Sequence, residues 1–228
     1  MDSLSIVVPA LNEAESIAAT LLALAPAQRR GAEVVLVDGG SQDATVEVAL
    51  GIADKVLTAV RGRATQLNAG AAAASGRILF FLHADCKPPE DFDRHVLDAV
   101  AGRALAWGRF DVQIASAFPA LRLVSAMMNL RSRYTGIATG DQGIFATRAL
   151  FECVGGFPVQ PLMEDIAFSR AAKRVGAPVC LRGRIATSGR RWERRGVART
   201  ILLMWQLRLA YFFGADPHDL ARRYDNIR

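Results

Sequence analysis

Apolar residues recur in two rhythms along this chain. Leu4–Val8, Glu33–Val37 and Ile78–Leu82 are short, almost unbroken apolar runs, the pattern of strands covered on both faces in a parallel sheet. Lys55–Thr58 adds a shorter strand. Between these runs the apolar positions shift to helical spacing. Asn12, with Glu15 three residues on, predicts a capped helix that buries Ile17, Leu21, Leu22 and Leu24 and stops near Pro26. Ser41 or Asp43 caps a second helix through about Ala53, and Gly62-Arg63 opens an alanine-rich third, Ala64–Ser75, closed by Gly76. Pro88-Pro89-Glu90 starts a fourth, running to about Val100. This β-α-β-α-β-α-β order predicts an α/β fold: a doubly wound, mostly parallel sheet with right-handed crossovers, flanked by helices.

Beyond residue 103 the rhythm loosens. Leu105–Ile114, Gly143–Ala146 and Val179–Leu181 are candidate strands, and Pro119–Tyr134, Arg148–Cys153 and Glu164–Val175 candidate helices. Val197–Phe213 closes the pattern as an apolar C-terminal helix. No repeat or linker divides the chain, so one domain over 1–228 is expected, with halves at 1–103 and 104–196 and a helical tail at 197–228. Gln206 and Arg208 break the tail's apolar stretches, which are too short to span a membrane. With Trp205, Tyr211 and Arg199 the tail suits packing on its own sheet, peripheral membrane contact, or a homodimer.

Composition narrows the class. At 228 residues, 51% hydrophobic and 22% charged, the chain is long enough to bury a full core and too apolar for disorder. Met1–Ser16 has no basic n-region, so it is not read as a signal peptide. Cys86, Cys153 and Cys180 are odd in number and show no CxxC spacing, which argues against a disulfide framework. The expected setting is the cytoplasm, or the inner membrane face. The net charge of +6 is weighted to late arginines, among them Arg182, Arg184, Arg190, Arg191 and Arg194, which suit a diphosphate or an anionic surface. Without a basic recognition helix or aromatic platform, nucleic acid is not an expected partner.

In an open α/β sheet the ligand crevice lies beyond the carboxyl ends of the strands, so the residues after each run carry the candidate chemistry. Pro9-Ala10-Leu11-Asn12-Glu13 follows the first; amides at a helix start favour anions, with a plain helix cap as the alternative. Asp38-Gly39-Gly40-Ser41 follows the second. Asp38 can accept a hydrogen bond from a base imide or ribose hydroxyl, and Gly40 allows close backbone approach. Arg63 can reach a phosphate, with Asn68 farther along the same helix. His83-Ala84-Asp85 ends the fourth run, its i, i+2 spacing pointing His83 and Asp85 one way. Asp85 can hold Mg²⁺ or Mn²⁺ and so bridge two phosphates, with His83 as second ligand or ribose contact. Carboxylates delivered to one sheet edge by two strands form the pattern of a nucleotide-sugar site.

Later in the chain, Glu164-Asp165 opens a helix, where the dipole stabilises acids or where one carboxylate serves as general base for an acceptor hydroxyl. Asp141 and Gln142 lie in a polar turn that can shape an acceptor pocket. Arg191 can meet a diphosphate with Trp192 as a stacking wall. Neither GxGxxG nor GxxxxGK[ST] is present, which leaves dinucleotide and P-loop chemistry unsupported.

Taken together, Val8–Glu13, Val37–Asp43, Gly62-Arg63, His83-Ala84-Asp85, Gly140–Phe145 and Glu164-Asp165 resemble the family 2 glycosyltransferases of the GT-A fold. Leu82-His83-Ala84-Asp85 and Gly189-Arg190-Arg191-Trp192, in so compact a chain, look like a small bacterial subgroup. The resemblance implies a nucleotide-diphospho-sugar donor, most often uridine-linked, a divalent cation and inverting displacement at the anomeric carbon onto an acceptor it does not identify. By carry-over, Pro9, Asn12, Glu13, Asp38 and Arg63 border the nucleotide, Asp85 is the last acid of a DxD-type motif, and Asp165 is the base of the Glu-Asp motif. The chain departs from the pattern at three places: His83 replaces the first acid of DxD, Gly39 replaces a second acid after Asp38, and Ser188 replaces the Gln of QxxRW. The last departure speaks against a processive synthase. The rivals are a retaining transferase or nucleotidyltransferase on the same fold, and a non-enzymatic module binding an anionic surface.

Overall fold

The computed structural model describes residues 3–190, 192 and 196–225. Strands β1 (Leu4–Ala10), β2 (Glu33–Asp38), β3 (Lys55–Thr58) and β4 (Ile78–Phe81) pair in parallel in the order β3-β2-β1-β4. Their register fixes one edge of the sheet. Ala10 lies opposite Asp38, and Asp38 opposite Thr58, so three strands release their chains level with one another. β7 (Ile144–Thr147) runs antiparallel to β4 with Ile144 opposite Phe81. A strand that begins where its neighbour ends brings its preceding residues to that neighbour's exit, here a 3₁₀ turn at Gly140–Gln142.

The second half completes an eight-stranded mixed sheet, β3-β2-β1-β4-β7-β6-β8-β5. β6 (Trp107–Ala115) and β8 (Val179–Ser188) are parallel, with a register shift between Phe110 and Asp111. β5 (Cys86–Lys87) pairs antiparallel with Thr187 and Ala186 of β8. β5 stands last in the sheet although only residues 82–85 separate it from β4. The sheet therefore curls back on itself, and the loop carrying His83 and Asp85 is pinned at both ends.

Alternation along the strands sorts the core by face. Ile6, Val8 and Leu36 pack with Ile17, Leu21 and Leu24 of α1 (Ala14–Arg29) and Phe92 and Val96 of α4 (Phe92–Val100). Val7, Val35 and Val37 pack on the other side with Leu67 and Ala71 of α3 (Arg63–Ala73), Phe151 of α6 (Arg148–Cys153) and Phe168 of α7 (Glu164–Val175). Each such fully buried side chain contributes about 1.5–3 kcal/mol against exposure. A third cluster, Met163, Ile166, Leu207 and Leu220, docks α8 (Val197–Phe212) and α9 (Pro217–Asp225) on the start of α7. Leu202, Trp205 and Leu209 of α8 face outward. Among the described residues no helix is long and apolar enough to cross a membrane.

Several boundaries differ from expectation for identifiable reasons. α1 continues through Pro26 to Arg29; the carbonyl that Pro26 leaves without its helical partner belongs to Leu22, on the exposed side of the helix. α2 (Thr45–Leu50) ends before Ala53, and α3 ends at Ala73 rather than Ser75. Gly76 is not the helix terminator: a Cβ there would sit 2.7 Å from the Ser5 amide nitrogen, so the position serves close backbone packing. β8 runs seven residues past Leu181, to Ser188, because it lies half-exposed and its arginines hide the alternation. β5 was not expected, and α9 is a second helix within the span expected as a helical tail. α5 (Pro119–Thr135) matches its expected span almost residue for residue.

Candidate active site

The two βα turns at the sheet edge are laced together. Ser41 Oγ accepts from the Asn12 amide at 2.9 Å, and Asn12 Oδ1 accepts from the Gln42 amide at 2.8 Å. Thr45 Oγ1 and Asp43 Oδ2 accept from the Glu13 and Ala14 amides at 2.8 and 3.1 Å. The start of α1 is thus capped from the neighbouring turn, which corrects the expectation that Asn12 caps it with Glu15. Asn12 instead adopts the left-handed conformation, φ 54°, which Asn tolerates better than most residues. Pro9 is buried within β1 opposite Val37.

Asp38, expected to meet a base or ribose, is 3% exposed and holds its own turn. Its carboxylate accepts from the Gly40 and Ser41 amides at 2.8 and 2.9 Å and from Ser41 Oγ at 2.5 Å. Gly40, at φ 89°, supplies the conformation that turn needs. Sequence reasoning missed Gln66. Buried beneath both turns, its Nε2 donates to the carbonyls of Ala10 and Val37, each at 2.8 Å.

Asn68 is also redirected. Its side chain donates to the Phe157 carbonyl at 2.7 Å and accepts from the Phe157 amide at 2.9 Å, fixing the Gly155–Phe157 loop rather than facing a ligand. Gln142 is fully buried and closes the 3₁₀ turn with Thr139 in a capping box, so the expected acceptor contact gives way to a structural one. Ala84 is buried, its carbonyl accepting from Thr20 Oγ1 at 2.7 Å. Trp192 is half-buried beyond β8; Arg191 lies outside the described residues. Its neighbour Arg190 instead reaches back to the first turn, 3.0 Å from Glu15 and 3.9 Å from Glu13.

The remaining predicted residues converge. His83, Asp85 and Cys86 present ligand atoms that all lie within 4.8 Å of one another. Cys86, which sequence reasoning left aside, is buried, and burial together with the Asp85 charge pushes its thiol well up. Gly140 packs directly on the His83 ring: a Cβ there would collide with Nε2 and Cε1. The Gly140 amide donates to Asp165 Oδ2 at 2.9 Å. Asp165, Glu164, Arg63, His83, Phe81 and Phe157 line one cleft. Asp141 sits within electrostatic reach of Cys86.

Charge in the cleft is unevenly paired. Buried Glu164 accepts from half-exposed Arg63 at 3.1 Å, and its charge, followed by that of Asp165 against the cost of burial, holds the Arg63 guanidinium above its usual value. Among the described residues Asp165 forms no such ion pair. Burial first, and then the Glu164 charge, raise its carboxyl to about 6, against the opposing Gly140 amide, Arg208 and Arg63. Met163, just before this pair, is held at φ 66°, a strained conformation for its side chain and of the sort that concentrates at functional sites.

A family model described as glycosyl transferase family 2 matches residues 5–149. The chain belongs to that family. The match contains the His83–Cys86 cluster and both laced turns, while Asp165 lies beyond it. A curated relative from Pseudomonas paraeruginosa (strain DSM 24068 / PA7), undecaprenyl-phosphate 4-deoxy-4-formamido-L-arabinose transferase, is 31% identical over 156 residues, 63% of this chain and 45% of the relative. The chain thus spans under half of that protein. Among solved structures, S. aureus TarS 1-349 in complex with UDP-GlcNAc is similar at TM-score 0.66 and 18% identity, over 82% of this chain and 58% of that one. A mannosyltransferase from Pyrobaculum calidifontis, in complex with GDP-Man and Mn²⁺, is similar at TM-score 0.64 and 22% identity, over 91% and 60%. These likenesses show the GT-A fold expected from the sequence.

Proposed function

We propose that this chain transfers a sugar from a nucleotide-diphospho-sugar, UDP-linked, to an acceptor hydroxyl by metal-assisted inverting displacement. Family membership supports the reaction class. The observation that carries the mechanism is the short path from the His83–Asp85–Cys86 cluster, across Gly140, to Asp165. In this reading that path joins a cation site to a raised carboxylate, with His83 and Asp165 lining the same cleft.

In this reading residues 1–103 hold the donor and 104–196 the acceptor. The laced turns present their amides to the nucleotide, and Asp38 and Gln66 keep those turns in place. The donor set fits a divalent cation: Asp85 offers a carboxylate and His83 a ring nitrogen, a mixture that suits Mn²⁺ better than Mg²⁺, which favours oxygen alone. Such a cation supplies charge neutralisation for the departing diphosphate. Asp165 takes the proton from the attacking hydroxyl; its raised carboxyl sits near the range in which a base works well at neutral pH. Glu164, paired with Arg63, stands beside it and is one cause of that raised carboxyl.

The test is release of nucleoside diphosphate from a panel of UDP- and GDP-sugars, with product configuration read by NMR. Asp165→Asn is expected to lower turnover by about 10²–10⁴-fold while leaving the fold intact. Full activity in that variant removes Asp165 as the base. An α-linked product from an α-linked donor excludes inversion, and pyrophosphate as the released group identifies a nucleotidyltransferase.

A further inference from the structure

Among the described residues, two arginines beside the candidate base form no ion pair. Arg131 of α5 and Arg208 of α8 come from different helices and meet near the start of α7. Leu207 packs with Met163 and Ile166, on either side of Glu164-Asp165, and Ile137, two residues past α5, joins the same cluster. Nε and Nη2 of Arg131 and Nε of Arg208 are buried with no hydrogen-bond partner among the described residues. Guanidinium nitrogens out of water are costly unless paired, and two like charges side by side cost more.

Arg109, which is fully buried, is better provided for, although its Nε is unpartnered too among the described residues. It donates to the carbonyls of Phe110 and Asn129, each at 3.1 Å, and pairs with Asp111. The acids that Arg131 senses are Asp141 and Asp165, and Arg208 and Arg109 oppose them. Burial, followed by the Arg208 charge, pulls the Arg131 guanidinium down to about 10. Neither acid is spent on the pair: no ion pair joins it to Arg131 or Arg208 among the described residues, and Asp165 instead accepts the Gly140 amide.

We infer that Arg131 and Arg208 form an anion site for a phosphate group carried by the acceptor, which places the acceptor's hydroxyl against Asp165. The inference rests on the transferase reading above and names its acceptor class: a phosphate ester with a free hydroxyl. The guanidinium fork matches phosphate oxygens in pairs. Arg131 belongs to the half assigned to the acceptor, and Arg208 to the tail helix that docks on the start of α7 beside Asp165. The phosphate can be soluble or borne on a lipid. The second source is included because Leu123, Met127 and Leu130 of α5 and Leu202, Trp205 and Leu209 of α8 turn apolar side chains outward.

The test uses the full chain and three probes: inorganic phosphate, glycerol 3-phosphate, and vesicles of phosphatidylcholine with or without phosphatidylglycerol. Wild type is compared with Arg131→Gln, Arg208→Gln and, as an equal loss of charge on an exposed position of α5, Arg122→Gln. Binding of at least one phosphate probe is expected, weakened about 10–100-fold by Arg131→Gln or Arg208→Gln and little changed by Arg122→Gln. Saturation by glycerol 3-phosphate identifies a soluble acceptor, and binding seen only on phosphatidylglycerol vesicles a lipid-borne one. The Arg131 and Arg208 variants should also melt at higher temperature than wild type without ligand, because buried guanidinium nitrogens without partners are gone; this confirms that they fold. Absence of binding by all three probes, or equal losses in Arg122→Gln and Arg131→Gln, overturns the inference. Titration of the same samples with UDP and Mn²⁺ separates the cases: intact nucleotide binding confines the failure to the acceptor site.

Discussion

Asp165 is the residue on which charge and chemistry meet. Its carboxyl is raised to about 6 by burial and by Glu164, while Gly140, Arg208 and Arg63 pull it back. A base must be ionised, so turnover should climb about tenfold per pH unit below 6 and level off above it; a profile flat from pH 5 to 7 contradicts the assignment. Stability should move the other way. The folded chain holds this proton more tightly than the unfolded chain does, so the contribution is fully present near pH 4 and is lost as pH rises through 6. Asp165→Asn should therefore melt near wild type at pH 4 and gain on it by pH 7, which differential scanning calorimetry can follow. Gly140 makes a second prediction at this scale. Gly140→Ala drives a methyl into the His83 ring, and Mn²⁺ affinity should fall about 10–100-fold, read by calorimetric titration; unchanged affinity removes His83 from the cation site. What the sequence conveyed about single residues was uneven. The positions of His83, Asp85 and Asp165 were legible because a strand end or helix start places them; their roles are those proposed above. The tasks of Asp38, Asn68 and Gln142 were not, because a polar side chain that turns inward to satisfy backbone groups looks the same in sequence as one that faces a ligand.

At the scale of elements, the site is held by side chains that cross between turns. α1 takes its cap from Ser41, Asp43 and Thr45, some 29–32 residues away, so no local motif could reveal it. Gln66 joins the ends of β1 and β2 from one buried amide group. Gln66→Leu strands two carbonyls and should cost about 1–3 kcal/mol, measured by urea unfolding, with weaker nucleotide binding as both turns loosen. A loss in stability with unchanged nucleotide affinity shows that these turns do not hold the donor. The parallel half was legible because its strands are covered on both faces and appear as apolar runs. β8 was truncated in the reading because Arg182 and Arg184 occupy its exposed positions, and β5 was missed because two residues leave no period to detect.

At the scale of the whole molecule, the curl of the sheet is what makes a cleft. β4 and β5 are neighbours in sequence and distant in strand order, and closing that gap brings the second half over the edge where the first half ends. Family membership was legible from motifs spread over both halves, each weak alone. The Arg131–Arg208 pair was invisible, since its two members are 77 positions apart on helices whose packing no periodicity reports. The central claim is that this edge binds a nucleoside diphosphate through a divalent cation. Its most direct test is calorimetric titration of wild type and Asp85→Ala with UDP, then GDP, in Mn²⁺ and again after chelation. The account predicts nucleotide binding to wild type that needs Mn²⁺ and is lost in Asp85→Ala. Binding that ignores both the metal and the substitution, or no binding of either nucleotide by the folded protein, contradicts it.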